Sequence, residues 1–383
     1  MNKIQELIEK LCPDGVEYKR IGDIANVLRG KRLTKDKLNA DNGYPVYHGG
    51  LEPLGYYHEM NRKANTVMVI NVGASAGTVG FCDVDFWSSD GCYCISHNDF
   101  AIPKYIYSAL ASQEQLLVSK VRRAGIPTLD AKIVEDIKIP VPPLEVQSEI
   151  VRILDNFTEL TSELTSELTA RKKQYEHYRD ELLTFRNGME TKTHKLCEIC
   201  EVYDGTHQTP NYTDYGIKFA SVENIQAPYN TTKHISVEDY NKYKIKPRID
   251  DVLMTRIGSI GTCYVIDRTE DLAYYVSLAL LRPNTSIINS RYLKHYIESI
   301  KGAKELRRRT LVNAVPIKIN KDDIGKINIT FPALEEQQRI VDILDRFDKL
   351  CNDISEGLPA EIEARQKQYE YYRDKLLTFK EKA

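Results

Sequence analysis

The sequence lacks any apolar run long enough to cross a bilayer, and this absence limits the class of protein. Its longest apolar stretches, such as residues 66–72, fall far short of the roughly 20 residues that a transmembrane helix needs. The N-terminus carries charged residues where a secretory signal peptide needs an apolar stretch. We therefore expect a cytoplasmic protein that does not contact a membrane.

The sequence also lacks a strong excess of positive charge. Its net charge is −2, whereas a self-sufficient DNA-binding protein is often strongly basic. The acidic excess lies in residues 144–188 and 333–383, while residues 189–332 carry 21 Lys+Arg against 17 Asp+Glu. Any unaided affinity for DNA is expected to be modest.

Signals for disulfides, metal sites and catalysis are weak or missing. Eight cysteines in 383 residues, without a secretion signal, are typical of reduced thiols. Cys197 and Cys200 have zinc-like spacing, but no second pair follows at finger spacing, so two thiols packing on a helix face are the favoured alternative. The chain has no G-x-x-x-x-G-K-[ST] phosphate loop and no N-P-P-Y or D-P-P-Y motif. We predict no metal site and no catalytic residue in this chain.

What the sequence does contain is a duplication. Residues 142–160 read PPLEVQSEIVRILDNFTEL, and residues 332–350 read PALEEQQRIVDILDRFDKL. Further on, ARKKQYEHYRDELLTF from Ala170 and ARQKQYEYYRDKLLTF from Ala364 are identical at 13 of 16 positions. The offset between the copies grows from 190 to 194 residues, so the second copy has gained four residues. An internal repeat of this kind predicts a repeated architecture.

Each copy has the periodicity of a long helix with one apolar face. In the first copy the face is formed by Ile150, Ile153, Leu154, Phe157, Leu160, Leu164, Leu168, Tyr175, Tyr178, Leu182 and Phe185. The second copy repeats this spacing, with Gly357 and Pro359 as the places where we expect a kink or break. Two such faces in one chain are most simply buried against each other as an antiparallel coiled coil.

The tetrapeptide TSEL occurs twice in tandem, at residues 161–168. In the second copy we read three tetrads there, ending in Ile354, Leu358 and Ile362, which would explain the four extra residues. Four residues turn a helix by only about 40° beyond a full turn, so the apolar face is expected to continue through them.

The segments before the two helices are related more faintly. RIGDIANVLRG from Arg20 aligns with KLCEICEVYDG from Lys195, and ASAGT from Ala74 aligns with GSIGT from Gly258. Ile126-Pro127 aligns with Val315-Pro316. Short apolar runs that alternate with Gly and Asn turns indicate mixed α+β domains with substantial sheet.

With these motifs the chain resembles the specificity subunits of type I restriction-modification systems, and the resemblance extends over essentially its whole length. The helical repeats are its specific part, and the globular segments match more weakly. Two departures are that Cys197 stands where the first copy has Gly22, and Ala74 stands where the second has Gly258.

The resemblance implies two target-recognition domains, residues 1–142 and 189–332, separated by spacer helices at residues 143–188 and 333–383. Each domain would read one half of a split, asymmetric site on double-stranded DNA. Two adenine methyltransferase subunits and two restriction subunits would be the partners. Those partners would use S-adenosylmethionine, ATP and Mg²⁺, and this chain itself would hold no cofactor.

The candidate DNA contacts are basic and polar residues in loops and turns of the two globular segments. In the first segment they are Arg29, Lys31, Arg32, Lys35, Tyr47, His48, Ser75, Arg122 and Arg123. In the second they are Thr206, His207, Arg256, Ser259, Arg307, Arg308 and Arg309. The alternatives are a solvated helix face for the arginine clusters, and ordinary turns or hairpins for the others.

The candidate partner-binding residues lie on the helical repeats, where they would dock the methyltransferase. They are Arg171, Lys172, Tyr175 and Arg179 in the first copy and Arg365, Lys367, Tyr369 and Arg373 in the second. For the tyrosines, burial in the helix interface is the alternative. For the whole chain, the alternative is a coiled-coil tethering protein with two protein-binding globular ends.

Overall fold

The structure is a computed structural model, and it describes residues 2–96, 100–185, 189–208, 210–353 and 356–382. The chain forms two compact units. Unit 1 consists of Met1–Thr165 and Glu361–Ala383, and unit 2 of Ser166–Ala360. Each unit therefore combines one predicted recognition domain with parts of both predicted spacer helices.

Among its described residues, unit 1 has nine strands in three small sheets. They are β1 (Tyr18–Arg20), β2 (Val27–Arg29), β3 (Tyr44–Tyr47), β4 (Gly55–Tyr57), β5 (Thr66–Ile70), β6 (Val79–Cys82), β7 (Trp87–Ser88), β8 (Cys92–Ile95) and β9 (Lys138–Pro140). The main sheet has the order β2-β8-β5-β6 and is antiparallel. A second sheet, β4-β3-β7, includes the parallel pair β3 and β7, and β1 pairs with β9.

The helices that begin in unit 1 are mostly short. They are α1 (Asn2–Leu11), α2 (Ile21–Ile24), α3 (Pro103–Ala111), α4 (Glu114–Ser119), α5 (Ala131–Glu135) and the long α6 (Leu144–Leu182), which continues into unit 2. A 3₁₀ turn covers Lys35–Lys37. The main sheet packs against α3 through a core that includes Val67, Val69, Tyr105 and Ile106.

The part of unit 2 that the structure describes has ten strands. They are β10 (Lys192–Lys195), β11 (Cys200–Asp204), β12 (Tyr212–Thr213), β13 (Ile217–Ala220), β14 (His234–Ile235), β15 (Val252–Thr255), β16 (Cys263–Val265), β17 (Leu272–Tyr274), β18 (Leu278–Pro283) and β19 (Asn328–Phe331). The main sheet has the order β11-β18-β15-β16, and the second sheet, β12-β14-β13-β17, again includes a parallel pair, β13 with β17. The pair β10-β19 corresponds to β1-β9. The sheets thus repeat the topology of unit 1.

The helices of unit 2 are α7 (Leu196–Ile199), α8 (Val237–Asn241), α9 (Ser290–Glu298), α10 (Ile300–Arg307), α11 (Lys321–Ile324) and α12 (Leu334–Asn352). The last helix, α13 (Leu358–Leu376), lies almost entirely in unit 1. Two 3₁₀ turns cover Val222–Asn224 and Pro228–Asn230. The predicted mixed α+β class with two repeated globular parts and a long helix is confirmed.

One buried glutamine joins each globular part to the helix that follows it. The Gln147 side chain donates to the carbonyl of Pro142 (2.8 Å) and accepts from the backbone N–H of Ile102 (2.9 Å). Gln337 does the same with Pro332 (2.9 Å) and Asn289 (2.8 Å). The duplicated E-x-Q segments therefore have the same structural role twice.

Each unit contains an antiparallel helix pair. In unit 1, Phe157 of α6 stacks on Tyr372 of α13, with ring centroids 5.3 Å apart. In unit 2, Tyr178 of α6 lies against Phe347 of α12 at 5.6 Å. These two contacts are at equivalent positions of the repeat, since Phe157 aligns with Phe347 and Tyr178 with Tyr372. The apolar faces predicted from the sequence are the faces that pair within each unit.

The second helical copy is not one helix. The first copy is helical without interruption for 39 residues, but α12 ends at Asn352 and α13 begins at Leu358. A Cβ added to Gly357 would lie 2.6 Å from the carbonyl oxygen of Asp353, so the chain passes there with no room for a side chain. Pro359 follows at the second position of α13, where a missing N–H costs nothing. The expected break is therefore present, and it interrupts the three tetrads; Ile354 lies outside the described residues.

Candidate nucleic-acid interface

In unit 2, three loops meet beside the main sheet. They follow β11, β15 and the end of α10. The backbone N–H of Gly258 donates to the carbonyl of Ile317 (2.8 Å), which joins the second loop to the third. Leu311 and Lys318 pair as an antiparallel bridge, so the third loop is a hairpin. The loop after β11 lies against the segment after β17 through a parallel bridge between Thr206 and Tyr275.

Unit 1 builds the same arrangement from equivalent elements. Its three loops follow β2, β5 and the end of α4. The backbone N–H of Gly73 donates to the carbonyl of Pro127 (3.0 Å), and Arg122 pairs with Thr128 to close the hairpin. We call each set of three loops a loop face. The two loop faces have the same backbone plan and different side chains.

Each loop face borders a cavity lined by hydrogen-bonding groups. In unit 1 the cavity measures 540 Å³, and its lining includes Arg29, His48, Asp90, Lys120 and Arg122. In unit 2 the cavity measures 460 Å³, and its lining includes Asp204, Thr206, His207, Lys242 and Tyr243. Donors and acceptors in a groove are what base edges and phosphates require.

Most of the predicted contacts of unit 1 are solvent-exposed. Arg29, Lys31, Arg32 and Lys35 lie in or beside the loop after β2, and Arg122 and Arg123 lie on the hairpin. The Arg122 guanidinium donates to the hydroxyl of Thr128 (3.2 Å). The structure therefore brings the first-loop cations and the hairpin cations to one loop face, as DNA contact requires.

Of the three other predicted residues of unit 1, Tyr47 and His48 have structural partners, and Ser75 is partly covered by its turn. Tyr47 ends β3, and its ring packs edge-on against Phe86, with centroids 5.5 Å apart. Burial raises the pKa of its hydroxyl, which is consistent with a packing role. His48 accepts from the backbone N–H of Gly91 (3.2 Å) and keeps part of its ring exposed. Ser75 is half-buried in the turn after β5.

In unit 2, the predicted residues divide between surface and core. His207 and Ser259 are exposed, and Thr206 is half-buried, with its hydroxyl accepting from the N–H of Gln208 (3.3 Å). Arg256, by contrast, is only 7% exposed and bonds with Asp204 and with the carbonyl of Ile319. We correct its assignment from a direct DNA contact to a buried residue beneath the loop face, because its guanidinium is already engaged by protein atoms.

The arginine triplet differs from its predicted place. The alignment sets Arg307, Arg308 and Arg309 opposite Arg122 and Arg123, but α10 ends at Arg307, so the triplet begins at a helix end. The hairpin position of Arg122 is taken by Leu311, because both residues pair with the residue that closes their hairpin. The two arginine clusters are out of register because α10 is longer than α4 and because the hairpin of unit 2 has one more residue than that of unit 1.

Glu305, which lies two residues before the triplet, accepts hydrogen bonds from two of its three guanidinium groups. Arg308 donates to it at 2.8 Å and Arg309 at 3.0 Å. Burial opposes ionisation of Glu305, but the N–H of Asn328 and the guanidinium of Arg309 together hold its pKa below the usual value. Arg307 is exposed and has no side-chain partner among the described residues. It is the cation of the three that is most available to a phosphate.

The sequence reasoning missed several residues of the loop faces. Lys318 closes the hairpin of unit 2, and both hairpin tips carry exposed apolar side chains, Ile126 (71% exposed) and Val315 (99%). Ile126-Pro127 and Val315-Pro316 were aligned with each other but were not predicted to contact DNA. An apolar side chain in a turn is nevertheless a signal of a contact surface.

Some of the predicted partner-binding residues are exposed, and others are buried within their unit. Lys172 and Lys367 are exposed, while Arg171 and Arg365 are half-buried. The hydroxyl of Tyr175 forms a hydrogen bond with Nδ1 of the buried His295 (3.0 Å), and Arg179 lies over the Tyr175 ring. Tyr369 packs against the core of unit 1, with Arg373 over its ring. Tyr175 is thus corrected from a docking residue to part of the interior of unit 2, because its ring is buried.

Beside α6 and α12, unit 2 has an apolar groove of 840 Å³. Its lining includes Tyr178, Phe185, Met189, Ile343 and Phe347, and it is flanked by Arg171, Arg339 and Glu336. Met189 and Tyr178 are 45% and 38% exposed, which is unusual for large apolar side chains beside a core.

The described residues offer no site for a metal ion and no membrane-spanning helix. They contain no group of three or more His, Cys, Asp or Glu side chains able to hold a metal ion. Cys197 is exposed and Cys200 is buried. None of the helices described is both long and apolar enough to cross a membrane.

Comparison with known proteins identifies the family. The sequence profile of the type I restriction modification DNA specificity domain matches residues 13–171 and 189–364. A putative type I restriction enzyme specificity subunit of Haemophilus influenzae is 30% identical over 99% of this chain and 100% of its own. The EcoR124I/EcoR124II specificity subunit of Escherichia coli is 38% identical over 97% of this chain and 96% of its own.

Solved structures agree with this at the level of the fold. The S subunit of a type I restriction-modification system from M. genitalium has a TM-score of 0.60 at 17% identity, covering 95% of this chain and 96% of that one. A chain from a study of assembly and conformational transition of the type I system has a TM-score of 0.56 at 20% identity, covering 95% and 98%. The family profile and the two relatives at 30% and 38% identity favour the recognition hypothesis over a tethering protein. The chain belongs to the family of type I restriction-modification specificity subunits.

Proposed function

We propose that each unit of this specificity subunit reads one half of a split, asymmetric DNA site through its loop face. The observation that carries the proposal is that the same three-loop arrangement occurs twice with different side chains. Two similar scaffolds with different readout residues suit a site whose halves differ in sequence. Loops on a rigid sheet are also where readout residues are commonly found.

In this proposal the chain supplies DNA sequence recognition and no catalytic activity. Adenine methylation and ATP-driven cleavage belong to partner subunits, two methyltransferases and two restriction subunits, which use S-adenosylmethionine, ATP and Mg²⁺. The missing phosphate-loop and N-P-P-Y motifs support this division. The near-neutral charge of the chain also supports it, because affinity then depends on cations that the partners add.

A reconstitution experiment tests the proposal. The chain is purified alone and together with its cognate methyltransferase subunit, and methyl transfer from labelled S-adenosylmethionine to genomic DNA is measured. We expect no transfer by the chain alone and transfer at one bipartite sequence by the complex. Methylation by the chain alone would contradict the recognition-only function.

The helix pairs are the proposed docking surface for the methyltransferase. The apolar groove beside α6 and α12 supports this, because exposed apolar side chains flanked by charges are typical of protein contacts. Charge reversal of the exposed Lys172 should weaken assembly with the methyltransferase, measured by analytical ultracentrifugation. Tyr175→Phe is the control for an interior change and should leave assembly intact; unchanged assembly with Lys172→Glu, Arg171→Glu and Arg179→Glu combined would contradict this docking surface.

A further inference from the structure

Arg256 is a buried cation at the centre of the loop face of unit 2. It follows β15 directly, and only 7% of it is exposed. A buried guanidinium is costly unless its donors are engaged and its charge is paired. The partners it has are therefore part of what fixes the local structure.

Those partners belong to the other two loops. The Arg256 Nε donates to the carbonyl of Ile319 (3.2 Å), and the N–H of Ile319 donates back to the carbonyl of Arg256 (3.0 Å), which ties the base of the hairpin. The other end of the guanidinium pairs with the carboxylate of Asp204, at the end of β11. One side chain thus connects all three loops.

Asp204 links the buried Arg256 to His207 on the protein surface. Its second carboxylate oxygen lies 3.9 Å from Nε2 of His207, which is exposed on the same loop. The next residue, Gly205, has no room for a side chain, since a Cβ would lie 2.4 Å from the carbonyl oxygen of Tyr275. The loop is thus fixed at its backbone by Gly205 and at its side chains by the Arg256–Asp204 pair.

Unit 1 has no counterpart of this pair. Asn71 occupies the position of Arg256, and Arg29 occupies that of Asp204. The Asn71 amide donates to the carbonyl of Asp90 (3.3 Å), and Arg29 is exposed. A substitution of Arg256 therefore removes an ion pair of unit 2 that has no counterpart at the equivalent positions of unit 1.

We propose that Arg256 is a positioning residue that sets the sequence discrimination of unit 2, by holding Asp204 and the hairpin so that His207 and its neighbours meet the DNA in one geometry. This inference rests on the proposed function of the loop faces. Arg256 itself does not touch DNA; it acts through the loops that do.

The test compares Arg256→Gln with a matched buried pair elsewhere in unit 2. Arg282 is paired with the buried Asp251 through two hydrogen bonds (2.9 and 2.7 Å), so Arg282→Gln removes a similar interaction. Each variant is assembled with the methyltransferase, and methylation rates are measured on DNAs that carry every single base-pair change in each half-site. Thermal unfolding of each variant is recorded in parallel.

We expect Arg256→Gln to reduce discrimination about tenfold at one or more base pairs of a single half-site and to leave the other half-site unchanged. Asp204→Asn should have the same effect, and the double variant should add little. Arg282→Gln should lower the unfolding temperature and preserve discrimination in both halves.

Two results would overturn the inference. One is full discrimination in both half-sites with Arg256→Gln, Arg256→Lys and Asp204→Asn. The other is an equal loss in both halves, or the same loss with Arg282→Gln, which would indicate general destabilisation. If Arg256→Gln fails to fold, Arg256→Lys and Asp204→Asn give the answer. Failure of the proposed function itself would be distinct, because the unaltered complex would then methylate no bipartite site.

Discussion

At the scale of residues, burial separates the charges that hold the loop faces from those that are available to DNA. Arg256 is buried and engaged by protein atoms, whereas Arg307 is exposed and has no side-chain partner in the part of the chain that the structure describes. The same residue type therefore has two roles within one loop face. The residue type alone does not distinguish them, since both are arginines.

The first prediction concerns the arginine triplet. Replacing Arg307, Arg308 and Arg309 with alanine should weaken DNA binding by the assembled complex without affecting assembly. Arg307→Ala alone should account for much of the loss and should reduce the slope of log K against log salt by about 1, as expected for one phosphate contact. Arg309→Ala should have less effect, because Glu305 already engages that side chain.

Binding is measured by fluorescence anisotropy at several salt concentrations. Losses that are equal for all sequences would indicate phosphate contacts, and relaxed discrimination at one base pair would indicate base readout. Unchanged affinity of the triple variant at moderate salt would exclude these residues from the interface.

The second prediction is a pH dependence at Glu149. This buried carboxylate of α6 accepts from Arg152 and from Lys3 of α1, and these bonds lower its pKa to about 2. Because the pKa in the folded protein lies below the unfolded value of about 4.3, the stabilisation is present above pH about 4.3 and is lost as the pH falls towards 2. Both cations are largely exposed, so solvent screening limits it to about 1 kcal/mol.

Glu149→Gln should therefore lower the unfolding temperature at neutral pH, and the difference from the unaltered chain should shrink as the pH falls below about 4.3 and disappear only at about pH 2 and below. Glu159→Gln, at an exposed position in the interior of the same helix, is the control and should have little effect at either pH. A difference that persisted undiminished at pH 3 would contradict the ion-pair explanation.

At the scale of elements, the two helical copies differ in continuity. The tandem TSEL segment, residues 161–168, lies within the uninterrupted α6. The corresponding part of the second copy contains the end of α12, the break and the start of α13. Length changes in the first copy are thus transmitted through a continuous helix.

The third prediction follows from this continuity. Adding or deleting one TSEL lengthens or shortens α6 by about 6 Å and turns it by about 400°, a net rotation of about 40°. One base pair of B-DNA advances about 3.4 Å and turns roughly 35°. The net rotation matches one base pair and the translation at most two, so the gap between the half-sites should change by about one base pair, with both half-sites unaltered.

Inserting two residues is the control, because it rotates the helix by about 200° and turns the apolar face away from its partner. That variant should be inactive. Mapping of methylated sites across the TSEL series decides the matter, and an unchanged gap would mean that α6 does not set the spacing.

The sequence predicted the elements more successfully than the loop faces. Periodicity found the helix pairs, because residues such as Phe157 and Phe347 repeat with the helical period and have no other way to become buried. Gly357 and Pro359, which disfavour a continuous helix, also indicated where the second copy breaks. The pairing of Arg256 with Asp204 could not be predicted, since the two residues lie 52 positions apart and meet only after the sheet has formed. The correspondence of Leu311 with Arg122 was hidden by a length difference in the hairpin.

At the scale of the whole molecule, we propose that each unit reads its half of the DNA site independently. The two units have separate cores, the same sheet topology and loop faces with different side chains. Independent reading predicts that one loop face can be exchanged without changing what the other recognises.

The most direct measurement is methylation-site mapping of a domain exchange. Residues 189–332 are replaced by the equivalent segment of a specificity subunit with a different known site, and the hybrid is assembled with the methyltransferase. If the units read independently, the hybrid methylates a new bipartite site in which one half is unchanged and the other comes from the donor. A site in which both halves change, or in which neither does, from a folded and active hybrid would contradict independent reading.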